Sequence, residues 1–166
     1  MSEVRIEVSL AAQQLYLYQS SDEGDILLCQ YPVSTARNGA GEVEGSFCTP
    51  RGAHRIAQKI GADAPLFAVF KARVPTGEIW TAALETSEPG RDWILSRILW
   101  LEGLEPGKNQ GGNVDSHDRY IYIHGTNEED KIGTPASHGC IRMRNADVVT
   151  LFNQVAIDTR VHIRED

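Results

Sequence analysis

The sequence has no apolar run approaching the roughly 20 residues of a membrane-spanning helix, so no span is expected. Its opening stretch, MSEVRIEVSLAAQQLYLYQ, lacks a basic segment followed by an apolar one, and Glu3 and Glu7 interrupt the apolar positions. It reads as a chain not marked for export, and a cytoplasmic location is the expectation. Positive charge is also scarce. Sixteen Lys and Arg stand against 23 Asp and Glu, a formal net charge of -7. Nucleic acid is therefore not an expected partner, because phosphate neutralisation needs a basic face. Cysteine is limited to Cys29, Cys48 and Cys140, an odd number with no CxxC pair. A disulfide framework is not expected, and a reducing compartment suits the composition. There is no internal repeat and no low-complexity tract.

What is present fits one globular domain over residues 1–166, with 41% hydrophobic and 23% charged residues. The first third alternates in the manner of strands. VRIEVSL, LYLY and ILLCQYPV are separated by polar turns and read as three antiparallel strands. STARNGAGEVEGSFCTPRGAHRI reads as a glycine-rich loop followed by a strand near AHRI. Residues 61–92 carry repeated turn signals and read as an irregular excursion over the surface. DWILSRILWL, rich in Ile, Leu and Trp and stopped by GLEPG, reads as a strand. RYIYIHG is a strand ending at glycine, and RVHI a closing strand. NADVVTLFNQVA is the one clear helix, with Asn145 as expected N-cap, Asp147 in the first turn, and Val148, Leu151, Phe152 and Val155 on one face. One long helix among about seven strands makes the chain mainly β.

Between IYIHG and that helix lies SHGC, Ser137–Cys140. A thiol attacks as thiolate and a free one ionises near about pH 8.5, so at neutral pH it needs a base. Two histidines qualify. His138 is held about 7 Å from Cys140 along an extended chain. His124 ends a strand, with twelve residues between it and Ser137, and can approach the sulfur from another segment. His124 is the expected base. The Gly125 carbonyl is placed to accept from its other ring nitrogen and set the tautomer, and Gly125 also lets the backbone turn sharply. Backbone N–H groups around Gly139 and Cys140 form the expected oxyanion hole, and a side chain at Gly139 would crowd the incoming carbonyl. Arg142, two residues past the thiol, is the expected ligand of a substrate carboxylate; the competing reading is a structural ion pair. Cys29 and Cys48 read as small core hydrophobes. His162 reads as a sheet residue and His117 as a solvated loop residue, while His54 adjoins a loop that looks functional. A zinc site from His124, His138 and Cys140 competes, but the His-Gly-Cys spacing is tighter than chelating pairs usually are and a fourth ligand is missing. No metal and no cofactor are expected.

IHG followed by SHGCIRM resembles the YkuD-type L,D-transpeptidase catalytic domain, and the resemblance covers nearly the whole chain, from the opening strands with Gln14 through TPRGAHRI to the closing helix and strand. It implies a mixed β-sheet sandwich with one helix near the C-terminus. It implies Cys140 as nucleophile and His124 as base oriented by Gly125, with His138, Ser137 and Gly139 shaping the oxyanion hole. Two departures stand out. The gap from His124 to Ser137 is shorter than the family's usual spacing, and Arg142 stands where many members have Asn. The implied substrate is a murein tetrapeptide, free or attached to sugar. The bond broken lies between meso-diaminopimelate and terminal D-alanine, and an acyl-enzyme is formed. Resolution by water makes an L,D-carboxypeptidase of peptidoglycan recycling, the expected branch for a chain without an export signal. Resolution by an amine makes an L,D-transpeptidase. A non-catalytic murein-binding module would be expected to lose Cys140 or His124, and a thiol redox sensor would want a resolving cysteine.

Overall fold

The computed structural model describes residues 3–166. β1 (Val4–Ser9), β2 (Gln14–Gln19) and β3 (Ile26–Ser34) form an antiparallel meander. The alternation in the sequence is the reason: Ile6, Val8, Leu15 and Leu17 point into the core while Arg5, Glu7, Tyr16 and Tyr18 stay half-exposed on the other face. β4 (Gly52–Ile60) and β7 (Ile94–Gly103) pair antiparallel. β8 (Tyr122–Gly125) and β9 (Ile141–Met143) run parallel, and β10 (Arg160–Arg164) returns between β1, parallel, and β4, antiparallel. Following the pairings, the order β4-β10-β1-β2-β3-β9-β8-β7 closes through β7 back onto β4. The mainly β, mixed-sheet expectation is met, and the sandwich is one sheet folded round until its edges meet. That closure removes most free strand edges.

The core inside this ring joins Leu99, Leu101, Ile123, Ile141 and Met143 to Val148, Leu151 and Phe152 of the helix α2 (Asn145–Gln154). The helical face is the one the sequence indicates. Its start is not: Arg144 occupies the N-cap, and Asn145 is the first helical residue with its side chain buried. The strand expected over RYIYIHG begins only at Tyr122, because Tyr120 takes a left-handed φ of 57°.

Residues 61–92 are more regular than the turn signals suggest. They form the hairpin β5 (Ala68–Lys71) and β6 (Val74–Ile79), hung from the first residues of β7, and a six-residue helix α1 (Ala82–Ser87) capped by Thr81. Lys71 pairs with Val74, so the turn is Ala72-Arg73, with φ of 48° and 67°. A two-residue turn with both φ positive is the hairpin type that Asn-Gly usually announces. Ala-Arg carries no such signal, which is why the sequence alone conceals it. No helix in the described residues is long and apolar enough to cross a membrane.

Candidate active site

The parallel register of β8 and β9 sets Ile123 beside Ile141 and His124 beside Arg142. Cys140, just before β9, thereby lands next to the start of β8. Its Sγ accepts from the Tyr122 N–H at 3.3 Å and donates to the Tyr120 carbonyl at 3.3 Å. The left-handed turn at Tyr120 aims both groups at the sulfur. Gly139 has φ of +133°, a conformation side chains rarely adopt, and a Cβ there would lie 3.2 Å from the Cys48 carbonyl. Glycine is required here by its own backbone and by Cys48. The segment is cross-tied: the Ser137 hydroxyl donates to the Cys140 carbonyl at 2.6 Å and accepts from the Gly139 N–H at 3.2 Å, while the Thr49 hydroxyl donates to the Gly139 carbonyl at 2.9 Å. The Gly139 N–H is thus engaged, whereas the Cys140 N–H meets no backbone acceptor outside the strand ladders among the described residues.

His124 is buried, and its Nδ1 lies 2.6 Å from the Gly125 carbonyl. A carbonyl can only accept, so Nδ1 carries the proton and Nε2 is left as the basic nitrogen. Gly125 is not one of the glycines with positive φ, so its role is room and not a turn. A Cβ on it would come within 2.3 Å of Asn145 Oδ1 and 2.6 Å of the Leu95 carbonyl. Asn145 in turn accepts from the Ser96 hydroxyl at 2.6 Å and donates from Nδ2 to the Thr126 carbonyl at 2.8 Å and to Glu129 at 3.0 Å. A residue that the sequence suggests as a helix cap is the strut behind the His124-Gly125 peptide.

Burial pushes the Cys140 thiol up to about 11; Asp92 adds to the rise, and the Tyr122 N–H with Arg142 and Arg119 opposes it. Burial pulls His124 down to about 4; its bond to Gly125 opposes the fall and Arg142 adds to it. Low-dielectric surroundings disfavour both charged forms, which shifts the thiol and the imidazole toward their neutral states. Both shifts run against the simple ion pair suggested by the chemistry of free thiols.

Cys140, His124, Ser137, His138 and Arg142 all line one cleft of about 470 Å³. His138 is exposed and meets Phe47 edge-on, ring centroids 5.9 Å apart. Arg142 is buried and gives one Nη to Glu128 at 3.2 Å, so the ion pair considered for it exists. The cleft also takes Arg73 from the hairpin turn, Asp92 from before β7, and Arg119, Tyr120 and Tyr122. Tyr122 was recoverable from the sequence, since it shares a strand face with His124. Arg73 and Asp92 lie far away along the chain and carry no signal. Among the described residues no group of three His, Cys, Asp or Glu is placed to hold a metal ion. Outside the cleft, His54 is buried between the Gly52 carbonyl and the Ser116 hydroxyl, His162 sits in β10, and His117 stacks on Trp100 with ring centroids 3.9 Å apart, less solvated than its loop suggests. Cys29 and Cys48 are half-buried.

The profile of the L,D-transpeptidase catalytic domain, YkuD, matches residues 3–163. The YkuD protein of Bacillus subtilis is 35% identical over 112 residues, covering 66% of this chain and 65% of its own length. YqjB from the same organism is 47% identical over 72 residues, which is 40% of this chain and 41% of YqjB. In shape, an L,D-transpeptidase from Mycobacterium smegmatis aligns with a TM-score of 0.59 at 17% identity, over 98% of this chain and 59% of the other. Bd1075 of Bdellovibrio bacteriovorus aligns with a TM-score of 0.62 at 14% identity, over 99% and 48%. These two likenesses concern the fold, and the chain spans only part of the length of such relatives. With the family profile matched over nearly every residue, this chain belongs to the L,D-transpeptidase catalytic domain family.

Proposed function

We propose that the protein is a cysteine-dependent L,D-carboxypeptidase that removes the terminal D-alanine from murein tetrapeptides in the cytoplasm. The observation that carries the reading is that the Cys140 thiol shares one cleft with a His124 ring whose tautomer the Gly125 carbonyl fixes. Cys140 is the nucleophile and His124 its base. As Sγ bonds to the carbonyl carbon between diaminopimelate and D-alanine, His124 Nε2 takes the thiol proton. With both groups shifted toward their neutral forms, proton transfer accompanies attack. The Cys140 N–H donates to the oxyanion, within a wall shaped by Ser137, Gly139 and His138. The tetrahedral intermediate collapses, the C–N bond breaks, and Nε2 returns its proton to the departing amine. Water then attacks the thioester with His124 as base and frees the tripeptide. Arg142 keeps donors beyond the one given to Glu128, and these hold the D-alanine carboxylate. The single domain, 1–166, needs no metal or cofactor for these steps, and its three free thiols suit a reducing compartment.

One observation favours the amine-resolved alternative. A second hollow of about 520 Å³ adjoins the first through Ala72, Asp92 and Ile94, giving an acceptor somewhere to lie. The test is incubation with disaccharide tetrapeptide, alone and with excess D-amino acid, with products resolved by mass. Tripeptide plus D-alanine, a trapped thioester on Cys140, and loss of both in Cys140→Ala are expected. Dominant exchange or dimer formation would overturn hydrolysis in favour of transpeptidation.

A further inference from the structure

The cleft over Cys140 contains two opposite charges that do not meet. Arg73, at the tip of the β5–β6 hairpin, is held in place by its neighbours: Nη1 donates to the Tyr122 hydroxyl at 2.9 Å, and the guanidinium lies 4.8 Å and 4.9 Å from the ring centroids of Trp100 and Tyr120. It forms no ion pair among the described residues. The other arginines nearby are occupied. Arg119 donates to the carbonyls of Cys48 and Glu42, Arg142 to Glu128, and Arg91 to Glu78 and Glu88. Asp92, across the same cleft, is exposed and has neither a side-chain hydrogen bond nor an ion pair among the described residues.

A guanidinium fixed on an aromatic platform keeps its remaining N–H groups aimed at a ligand, with little rotamer entropy left to lose. Its natural complement is a carboxylate. A bare carboxylate, however, would face Asp92, and a bare ammonium would face Arg73. One ligand end bearing both signs satisfies both residues and leaves no uncompensated charge. We propose that Arg73 and Asp92 form a subsite for a zwitterionic amino-acid end, an ammonium and a carboxylate on one carbon, carried by the acyl-donor substrate. The proposal rests on the acyl-transfer reading above and adds what the donor side of the cleft selects.

The test uses three tetrapeptides that differ only at the side-chain end of the third residue: the zwitterionic diaminopimelyl form, the form with that carboxylate amidated, and the form with that amine acetylated. kcat/KM of the full chain is compared across them, and dissociation constants are compared in Cys140→Ala. The unaltered protein should favour the zwitterion about 10- to 100-fold over each neutralised form, the scale of a charge-assisted hydrogen bond. Arg73→Gln should erase the preference for carboxylate over amide and leave the amine preference. Asp92→Asn should do the reverse, and Arg73→Lys should keep part of the carboxylate preference. Ratios within one variant cancel any general damage to folding or to the thiol. Equal use of the three peptides, or variants that keep both preferences, would overturn the subsite. Absent turnover with the binding ratios intact would instead overturn the acyl-transfer reading alone.

Discussion

At pH 7 the Cys140 thiol should be less reactive than a free cysteine, despite its proposed place as nucleophile. With ionisation pushed up to about 11, about one sulfur in 10,000 is thiolate at pH 7, against about 3% for a free thiol ionising at about 8.5. The scarcity is about 300-fold. A thiolate of higher pKa is intrinsically more nucleophilic, and a Brønsted slope of about 0.45 over about 2.5 pH units returns roughly tenfold. The net expectation is alkylation about 20- to 30-fold slower than free cysteine, rising nearly tenfold per pH unit up to about pH 10. The assay is iodoacetamide labelling across pH 6–11, read by mass on the peptide containing Cys140 so that Cys29 and Cys48 do not contribute. His124→Asn should leave this resting profile nearly unchanged, because the imidazole is already neutral and holds no thiolate, while turnover collapses. A plateau of fast labelling between pH 5 and 7 that vanishes in His124→Asn would contradict this expectation, since it would mean a resting thiolate–imidazolium pair.

Acid should unfold the protein through its buried histidines. His54 and His124 are both depressed to about 4 by burial, whereas unfolded histidine ionises near about 6.5. Between those values the unfolded chain binds more protons, so stability falls as pH drops, by of order 3 kcal/mol per histidine at pH 4. Urea midpoints that stay flat between pH 7 and 4.5 would contradict this, and His54→Gln should make the slope shallower. Gly125→Ala should cost about 1–3 kcal/mol by overpacking against Asn145 and Leu95 and should lower kcat by disturbing the His124 tautomer contact. Asn145→Ala should cost about 1–3 kcal/mol through the orphaned Ser96 and Thr126 groups, yet partly relieve Gly125→Ala when combined with it. Strictly additive urea stabilities for the double variant would show that the two residues do not press on each other.

Local patterns in the sequence suffice for those parts whose information lies within one segment. Alternation in VRIEVSL and LYLY specifies strands because a strand's two faces repeat every second residue, and the 3.6-residue pattern of Val148, Leu151 and Phe152 specifies the helix. SHGC and IHG announce thiol chemistry because few other settings join a cysteine, a glycine and a strand-end histidine. Features that depend on segments far apart in the chain emerge with the fold. It placed Arg73 and Asp92 over the thiol, because an Ala-Arg turn without the usual hairpin residues swings a stretch that resembles loose loop onto the end of β7. It moved Asn145 from cap to strut, because Gly125, Ser96 and Thr126 converge on that side chain from three other segments. It also shifted the ionisation of the pair. Burial and the charges of Asp92, Arg119 and Arg142 set the ionisation of Cys140, and none of these can be summed before the chain is folded.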